Sequence, residues 1–276
     1  QGWLNGLHAQ PNEVARGRAS RAELLHAADL ARAGLAGTLR DYRMQFADGR
    51  TAPLATLDYK GQPAGYVAQP GEVVNYVENH DNPTLWDIHA LKFPLATPAQ
   101  ARVEAQLLGA AFVAVAQGVA YFHAGMELLR SKSLDRNSFD SGDWFNRLDW
   151  SYTDNGFGAG LPPGQDSARD RALLAPFLRN PNAKPSPAQI AWMRDAFTDL
   201  LRIRSATPLL RLRSAADVQQ RLRFLNTGPA QEPQVIAAQL DGDGYEGPHR
   251  SVLYLLNAAP GPRTLALAAL AGEPYV

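Results

Sequence analysis

A histidine and an aspartate stand side by side at the end of a short apolar run, in the sequence VVNYVENHDNPTLWD at residues 73–87. The β-branched residues of this run predict a strand buried on both faces. In barrels of alternating strands and helices, the chemical groups collect where such strands end. His80, Asp81 and Asn82 would then lie at the mouth of a site. The same spacing also fits a simple turn made by the Asp and Asn side chains, with His80 filling a satisfied pocket.

The segment 130–152 is the second candidate, because it alternates charged residues with aromatic ones. Sugars have apolar C–H faces and polar rims, so aromatic platforms flanked by charged hydrogen-bonding groups suit them. The alternative is that Trp144, Phe145 and Trp150 pack the loop onto the body of the protein while the charges pair among themselves. The substrate-contact candidates of this segment are Arg136, Asn137 and Asp140.

Composition excludes several classes of partner. The 276 residues with 45% hydrophobic content allow a substantial core, as one large domain or two ordinary ones. Twenty-seven basic and 27 acidic side chains cancel, which argues against nucleic acid and fits a neutral substrate. There is no cysteine, and no apolar run of about 18 residues that would span a membrane. Sequence alone leaves the compartment open between secreted, periplasmic and cytoplasmic, and it leaves the oligomeric state open.

Three helices are predicted from their capping residues and their ends. They cover residues 21–33 after the capping box of Ser20 and Glu23, residues 99–117 after Thr97-Pro98, and residues 188–207 between Ser186-Pro187 and Pro208. A buried strand is predicted at 119–125. Strand, helix and strand in this order predict a right-handed parallel unit.

Beyond about residue 210 the period changes to short strands separated by Gly, Pro and Asn turns, which indicates an antiparallel sandwich. The predicted strands are 221–225, 234–240, 251–257 and 263–270. A domain boundary is expected near 208–218. The sequence DGDGYEGPHR at 241–250 predicts a flexible hairpin loop, because its spacing matches no known calcium loop.

Four segments carry a resemblance to a known family. They are QGWLNGL at 1–7, GLAGTLRDY at 34–42, YVENHDNPTLWD at 76–87, and ELLRSKSLDRNSFDSGDWFNRLDWSY at 127–152. With them the chain resembles the C-terminal half of the pullulanase-type debranching enzymes, α-1,6-glucosidases of the α-amylase superfamily in glycoside hydrolase family 13. The last segment is the most specific of the four.

This resemblance implies an α/β fold in two parts. Residues 1–210 would supply the later part of a (β/α)8 TIM barrel, and residues 211–276 a C-terminal antiparallel β-sandwich domain that is expected to be truncated. The implied activity is hydrolysis of α-1,6 linkages in pullulan, glycogen or starch dextrins with retention, so the implied partner is an α-glucan.

Resemblance to the family also implies three catalytic carboxylates. An Asp nucleophile and a Glu acid/base would come before this sequence begins, so the chain is expected to be a fragment that is inactive alone. Asp81 matches the third carboxylate, a transition-state stabiliser. His80 matches the family histidine that donates to a sugar hydroxyl, and Asn82 would brace the pair or contact substrate.

The chain departs from the family pattern at three positions. Asn137 stands where Asp is usual, Phe139 where Tyr is common, and Pro83 where Glu or Gln is usual. An amide at Asn137 can still donate and accept hydrogen bonds, but it carries no charge. No cofactor is implied, and no metal ligands are assigned although calcium occurs in the family. Two other functions stay open: a non-catalytic α-glucan-binding module, and a superfamily enzyme of another linkage specificity, against which the RSKS…DSGDWFN segment argues.

Overall fold

The computed structural model describes residues 3, 19–163, 170–272 and 275. Its helices are α1 (Arg21–Leu35), α2 (Leu85–Lys92), α3 (Ala99–Val115), α4 (Asp143–Asn146), α5 (Arg171–Leu178), α6 (Pro187–Ala206) and α7 (Ala215–Arg221). Its strands are β1 (Arg43–Gln45), β2 (Thr51–Pro53), β3 (Asp58–Tyr59), β4 (Gln62–Pro63), β5 (Val74–Asn75), β6 (Val119–Ala120), β7 (Leu222–Phe224), β8 (Val235–Asp241) and β9 (Ser251–Asn257).

The three predicted helices are confirmed as α1, α3 and α6. Ser20 and Glu23 form the expected capping box at the start of α1. Ser186 forms a second capping box with Gln189 at the start of α6, and Pro187 occupies the first turn, where its missing N–H costs nothing. Short polar contacts at the helix starts therefore explain why these boundaries can be read from the sequence.

Strands β5 and β6 form a parallel pair, with Val74 opposite Val119. The predicted parallel strand–helix–strand order is thus confirmed, but the predicted strands at 73–78 and 119–125 are too long. The prediction that both strands are buried is also wrong, because Val74 is 52% exposed and Val119 is 46% exposed. Within the described chain each strand pairs only with the other, so nothing covers their remaining edges.

The C-terminal part forms a three-stranded antiparallel sheet in the order β7, β8, β9. The predicted strands at 221–225, 234–240 and 251–257 are confirmed, and the predicted hairpin loop at 241–250 joins β8 to β9. The predicted strand at 263–270 is wrong: this segment pairs with no described strand, and its last residues form a single 3-10 turn at Ala268–Leu270. A second sheet is absent from the described residues of this region.

Two hydrophobic clusters form the core. The first joins α1 and the β1–β2 hairpin to the antiparallel sheet, where Ile236 and Leu240 of β8 are fully buried. Trp3 reaches the same cluster and donates its indole N–H to the carbonyl of Pro233 at 2.7 Å; the rest of segment 1–7 lies outside the described residues. The second cluster packs α2, α3 and α6 around Trp86 and supports the loops that follow β5 and β6.

Candidate active site

The loop after β5 presents His80 and Asp81 to solvent. Their side chains are 80% and 70% exposed, and His80 Nε2 lies 3.7 Å from Asp81 Oδ2. The interpretation of His80 as a filler of a satisfied pocket is therefore wrong. The predicted turn is present as well, because the Asp81 N–H donates to Asn79 Oδ1 at 2.8 Å and Asn82 has a φ of 61°. An imidazole and a carboxylate at a turn can both reach a ligand that approaches the carboxyl end of β5.

The end of this loop is fixed by the start of α2. The buried carboxylate of Glu78 accepts a hydrogen bond from the N–H of Leu85, and Thr84 caps the helix by accepting from the Asp87 N–H at 3.2 Å. Cap oxygens of this kind satisfy amides that would otherwise lack partners in the first turn. Strand β5 and helix α2 thus bracket His80 and Asp81 on both sides.

The loop after β6 is tied to α2 by the buried carboxylate of Asp87. This carboxylate accepts from the Ser131 hydroxyl at 2.5 Å and from the Lys132 N–H at 2.8 Å. Burial raises the pKa of Asp87 to about 6, although both hydrogen bonds act to lower it. The Lys132 ammonium then reaches the carbonyl of His80 at 2.8 Å. The two candidate segments are therefore connected.

A second buried group lies beneath the same loops. His123 follows β6, and its Nδ1 lies 3.8 Å from Glu78 Oε1. Arg130 Nη1 lies 3.2 Å from His123 Nε2 and also donates to the carbonyl of Ala124. Sequence reasoning missed Glu78 and Asp87 as parts of the site, and it included Lys132 only among the charged residues of segment 130–152. The available signal was a charged residue next to apolar ones, in VVNYVE, TLWD and LLRSK.

Segment 130–152 exposes most of its aromatic side chains. Phe139, Trp144 and Trp150 are exposed and Phe145 is half-buried, so the alternative in which Trp144 and Trp150 pack the loop onto the body is wrong. The Arg147 guanidinium lies 5.8 Å from the centre of the Trp144 ring. An exposed ring with a cation beside it is suited to the apolar face and hydroxyl rim of a sugar.

The substrate-contact candidates of this segment lie on its outer side. Arg136 and Asp140 are exposed, and Asp140 ends a 3-10 turn at Ser138–Asp140. Asn137 is half-buried, and its N–H donates to Asp135 Oδ1 at 3.0 Å. Asp135 is buried and also accepts from the Ser141 hydroxyl at 2.6 Å. The buried carboxylate of Asp135 thus stabilises the turn that carries Arg136, Asn137 and Asp140.

A cavity of about 230 Å³ opens beside Trp144. Its polar lining consists of Arg130, Arg147, Asp149, Asp154, Asn155 and Lys184. Asp154 and Lys184 are paired at 2.8 Å.

Among the described residues no group of three His, Asp or Glu side chains could hold a metal ion. In the same part of the chain, no helix is long and apolar enough to cross a membrane.

Comparison with known proteins shows which family the chain resembles. Residues 152–276 match the family model described as alpha-1,6-glucosidases, pullulanase-type, C-terminal. The chain is 41% identical over 250 residues to pullulanase 1, chloroplastic, from Arabidopsis thaliana. This aligned region covers 90% of the chain and 26% of that protein.

Two solved structures share the fold. The crystal structure of PulA from Klebsiella oxytoca superposes with a TM-score of 0.92 at 37% identity, over 99% of the chain and 26% of that protein. A maltotriose complex of PulA from Klebsiella pneumoniae gives a TM-score of 0.90 at 37% identity, over 96% of the chain and 29% of that protein. The chain thus spans about a quarter of the length of the relatives it matches.

By these matches the chain is similar to part of a glycosidase. More specifically, it is similar to a C-terminal segment of the pullulanase-type α-1,6-glucosidases. The resemblance carried by the HDN loop and by segment 127–152 is confirmed.

Proposed function

We propose that the complete protein hydrolyses α-1,6-glucosidic linkages in pullulan, glycogen or starch dextrins with retention, and that this chain supplies part of its active site. The observation that carries the proposal is the side-by-side exposure of His80 and Asp81 at the carboxyl end of β5. Functional groups of α/β barrels collect at that end of the strands. A maltotriose complex of a related protein supports an oligosaccharide as the ligand.

Asp81 is the transition-state stabiliser in this proposal. Glycosidic cleavage passes through an oxocarbenium-like state, and a carboxylate under the same ring can bind the neighbouring hydroxyls more strongly as the ring flattens. His80 donates a hydrogen bond to a sugar hydroxyl, which a neutral imidazole can do. The 3.7 Å between the two side chains would allow both to contact one sugar ring.

The remaining substrate contacts are assigned to Asn82 and to the turn at 136–140. Asn82 stands directly after Asp81 and is exposed. Arg136, Asn137 and Asp140 would contact glucose units farther along the substrate. An amide at Asn137 can donate and accept hydrogen bonds without charge, in keeping with a neutral glucan.

The nucleophile and the acid/base are assigned to residues outside this chain. A retaining enzyme needs these two carboxyl groups about 5–5.5 Å apart. The carboxylates nearest in sequence to Asp81 are Glu78 and Asp87, and both are buried and bonded to backbone amides. Neither is available to attack a sugar, which favours an active site completed by other parts of the protein.

The finer architecture is also a proposal. Residues 1–210 would be the later part of a (β/α)8 barrel, and residues 211–276 a C-terminal β-sandwich domain. The exposed residues Val74 and Val119 support the first assignment, because neighbouring barrel strands would cover them. The antiparallel order of β7, β8 and β9 supports the second.

Reducing-sugar release from pullulan tests the function. The protein encoded by the complete reading frame should release reducing ends, whereas residues 1–276 alone should release none. Maltotriose binding without turnover by the complete protein would instead indicate a non-catalytic glucan-binding module. Turnover of an α-1,4 glucan with no action on α-1,6 branches would indicate another linkage specificity.

A further inference from the structure

Lys132 is a buried lysine whose ammonium group lies under the loop that carries His80 and Asp81. The residue is 1% exposed, and its Nζ donates a hydrogen bond to the backbone carbonyl of His80 at 2.8 Å. In the described part of the chain this ammonium forms no ion pair. A lysine is almost never fully buried unless it is paired, because transfer of its charge out of water is costly. Lys132 directs this charge at a main-chain oxygen instead.

The electrostatic surroundings fit this placement. Burial lowers the pKa of Lys132, as does the nearby charge of Arg130, while the negative charges of Asp87, Asp135 and Asp81 act in the opposite direction. The cation acts on the loop through the carbonyl of His80, which its Nζ contacts directly.

The loop is anchored before His80 by Glu78, which accepts from the Leu85 N–H and lies 3.8 Å from His123. Around His80 itself, the Asp81 N–H donates to the neighbouring Asn79 side chain, which is a local contact within the turn. The hydrogen bond from Lys132 comes from 52 residues away and joins the turn to the core.

Lys132 itself is fixed from the opposite side. Its own N–H donates to Asp87 Oδ2 at 2.8 Å, and Ser131 donates to Asp87 Oδ1 at 2.5 Å. Asp87 lies in the first turn of α2 and is completely buried. Helix α2 begins immediately after the His80 loop. Through Asp87 it fixes the position of Lys132, and through Lys132 it fixes the position of the His80 carbonyl.

We propose that Lys132 is a positioning residue, which holds the His80 carbonyl so that the Asp81 carboxylate meets the sugar ring in the transition state. This inference rests on the proposed function. Lys132 does not touch substrate. Its removal would lower turnover more than substrate affinity, since the geometry at Asp81 matters most as the ring flattens.

The test uses Lys132→Met in the complete enzyme, because methionine keeps the unbranched apolar part of the side chain and removes the charge and the donor. Steady-state kinetics on pullulan should give a kcat lower by about ten- to a hundredfold and a KM changed by less than about threefold. Lys132→Arg, which keeps a cation and donors, should recover part of this kcat.

A double-mutant cycle with Asp81→Asn separates positioning from general destabilisation. If Lys132 acts through Asp81, adding Lys132→Met to Asp81→Asn should reduce kcat by less than about threefold further. Arg204→Met is the matched control: Arg204 is another cation that donates to backbone carbonyls, those of Ala114 and Gly118 among them, at the opposite end of β6. The Arg204→Met variant should have a lower thermal midpoint and an unchanged kcat.

The outcomes distinguish the two proposals. Normal turnover of Asp81→Asn would overturn the proposed function. Reduced turnover of Asp81→Asn together with normal kcat in Lys132→Met would overturn only the positioning role. If Lys132→Met does not fold, Lys132→Gln is measured in the same way, and failure of both to fold would also overturn the proposal, since Lys132 would then be a determinant of stability.

Discussion

The hydroxyl of Ser131 donates a 2.5 Å hydrogen bond to Oδ1 of Asp87, a carboxylate with no exposed surface. The two residues are 44 positions apart. Their contact joins the loop after β6 to the first turn of α2, and so joins the two segments that carry the candidate site residues. The consequences of this contact can be measured.

We expect Ser131→Ala to destabilise the protein by about 1–3 kcal/mol, because the buried carboxylate loses a donor that water cannot replace. Ser151→Ala is the matched control, since Ser151 donates to Asp149 at the same 2.5 Å on an exposed surface. Its cost should stay below about 0.5 kcal/mol. Urea unfolding followed by tryptophan fluorescence measures both variants, and equal midpoints would show that the Asp87 contact does not stabilise the fold.

Protonation of His89 should destabilise the protein in acid. Its side chain is fully buried in α2 and stacks on Phe93 with ring centres 4.9 Å apart. Burial, together with the nearby charge of Arg102, lowers the pKa of His89 to about 3. The unfolded chain, with a pKa near 6.5, therefore takes up the proton first, and the stability contribution is complete above pH 6.5 and is lost as pH falls toward 3.

The variant His89→Phe isolates this effect. The stability of the original protein relative to His89→Phe should decrease by about 1.4 kcal/mol for each pH unit between 6.5 and 3. The comparison with a variant is needed because Asp87 acts in the opposite direction: its raised pKa of about 6 makes the folded state bind a proton more tightly between pH 3.8 and 6. A difference between the two proteins that does not vary with pH would contradict the buried, neutral state of His89.

Replacement of Trp144 by Ala should weaken glucan affinity with little effect on stability. The side chain is 71% exposed, so its loss creates no cavity and should cost less than about 1 kcal/mol. Trp86→Ala is the matched control, because Trp86 is buried and donates to the carbonyl of Ala183 at 3.0 Å. It should cost about 3–5 kcal/mol. Calorimetric titration with maltotriose gives the affinity, and unchanged affinity in Trp144→Ala would remove it from the binding surface.

Sequence patterns predict the parts of this fold that depend on neighbouring residues. The capping boxes at Ser20 and Ser186 act within one turn, so the starts of α1 and α6 are predictable. The exposure of Val74 and Val119 is not, because it depends on contacts between elements and not on the local run of β-branched residues. The segment 263–270 likewise has the composition of a strand, but it pairs with no strand among the described residues.

The residues of the candidate site likewise fall into those that the sequence can predict and those that it cannot. His80 and Asp81 could be proposed from the sequence because both stand at the end of one apolar run. Lys132 could not, because its contact with His80 spans 52 residues and a buried lysine has no distinguishing spacing. For Trp144 the sequence leaves packing and exposure both open, because aromatic residues occur in cores and on binding surfaces, and its 71% exposure in the structure decides between them.

Turnover of Asp81→Asn in the complete enzyme shows whether the Asp81 carboxylate takes part in the reaction. Asp81 is 70% exposed, so the isosteric amide should leave the thermal midpoint unchanged. We expect kcat on pullulan to fall by about a hundredfold or more, which corresponds to about 3 kcal/mol or more of lost transition-state stabilisation. A folded Asp81→Asn enzyme with near-normal kcat would contradict the assignment of this carboxylate to the reaction.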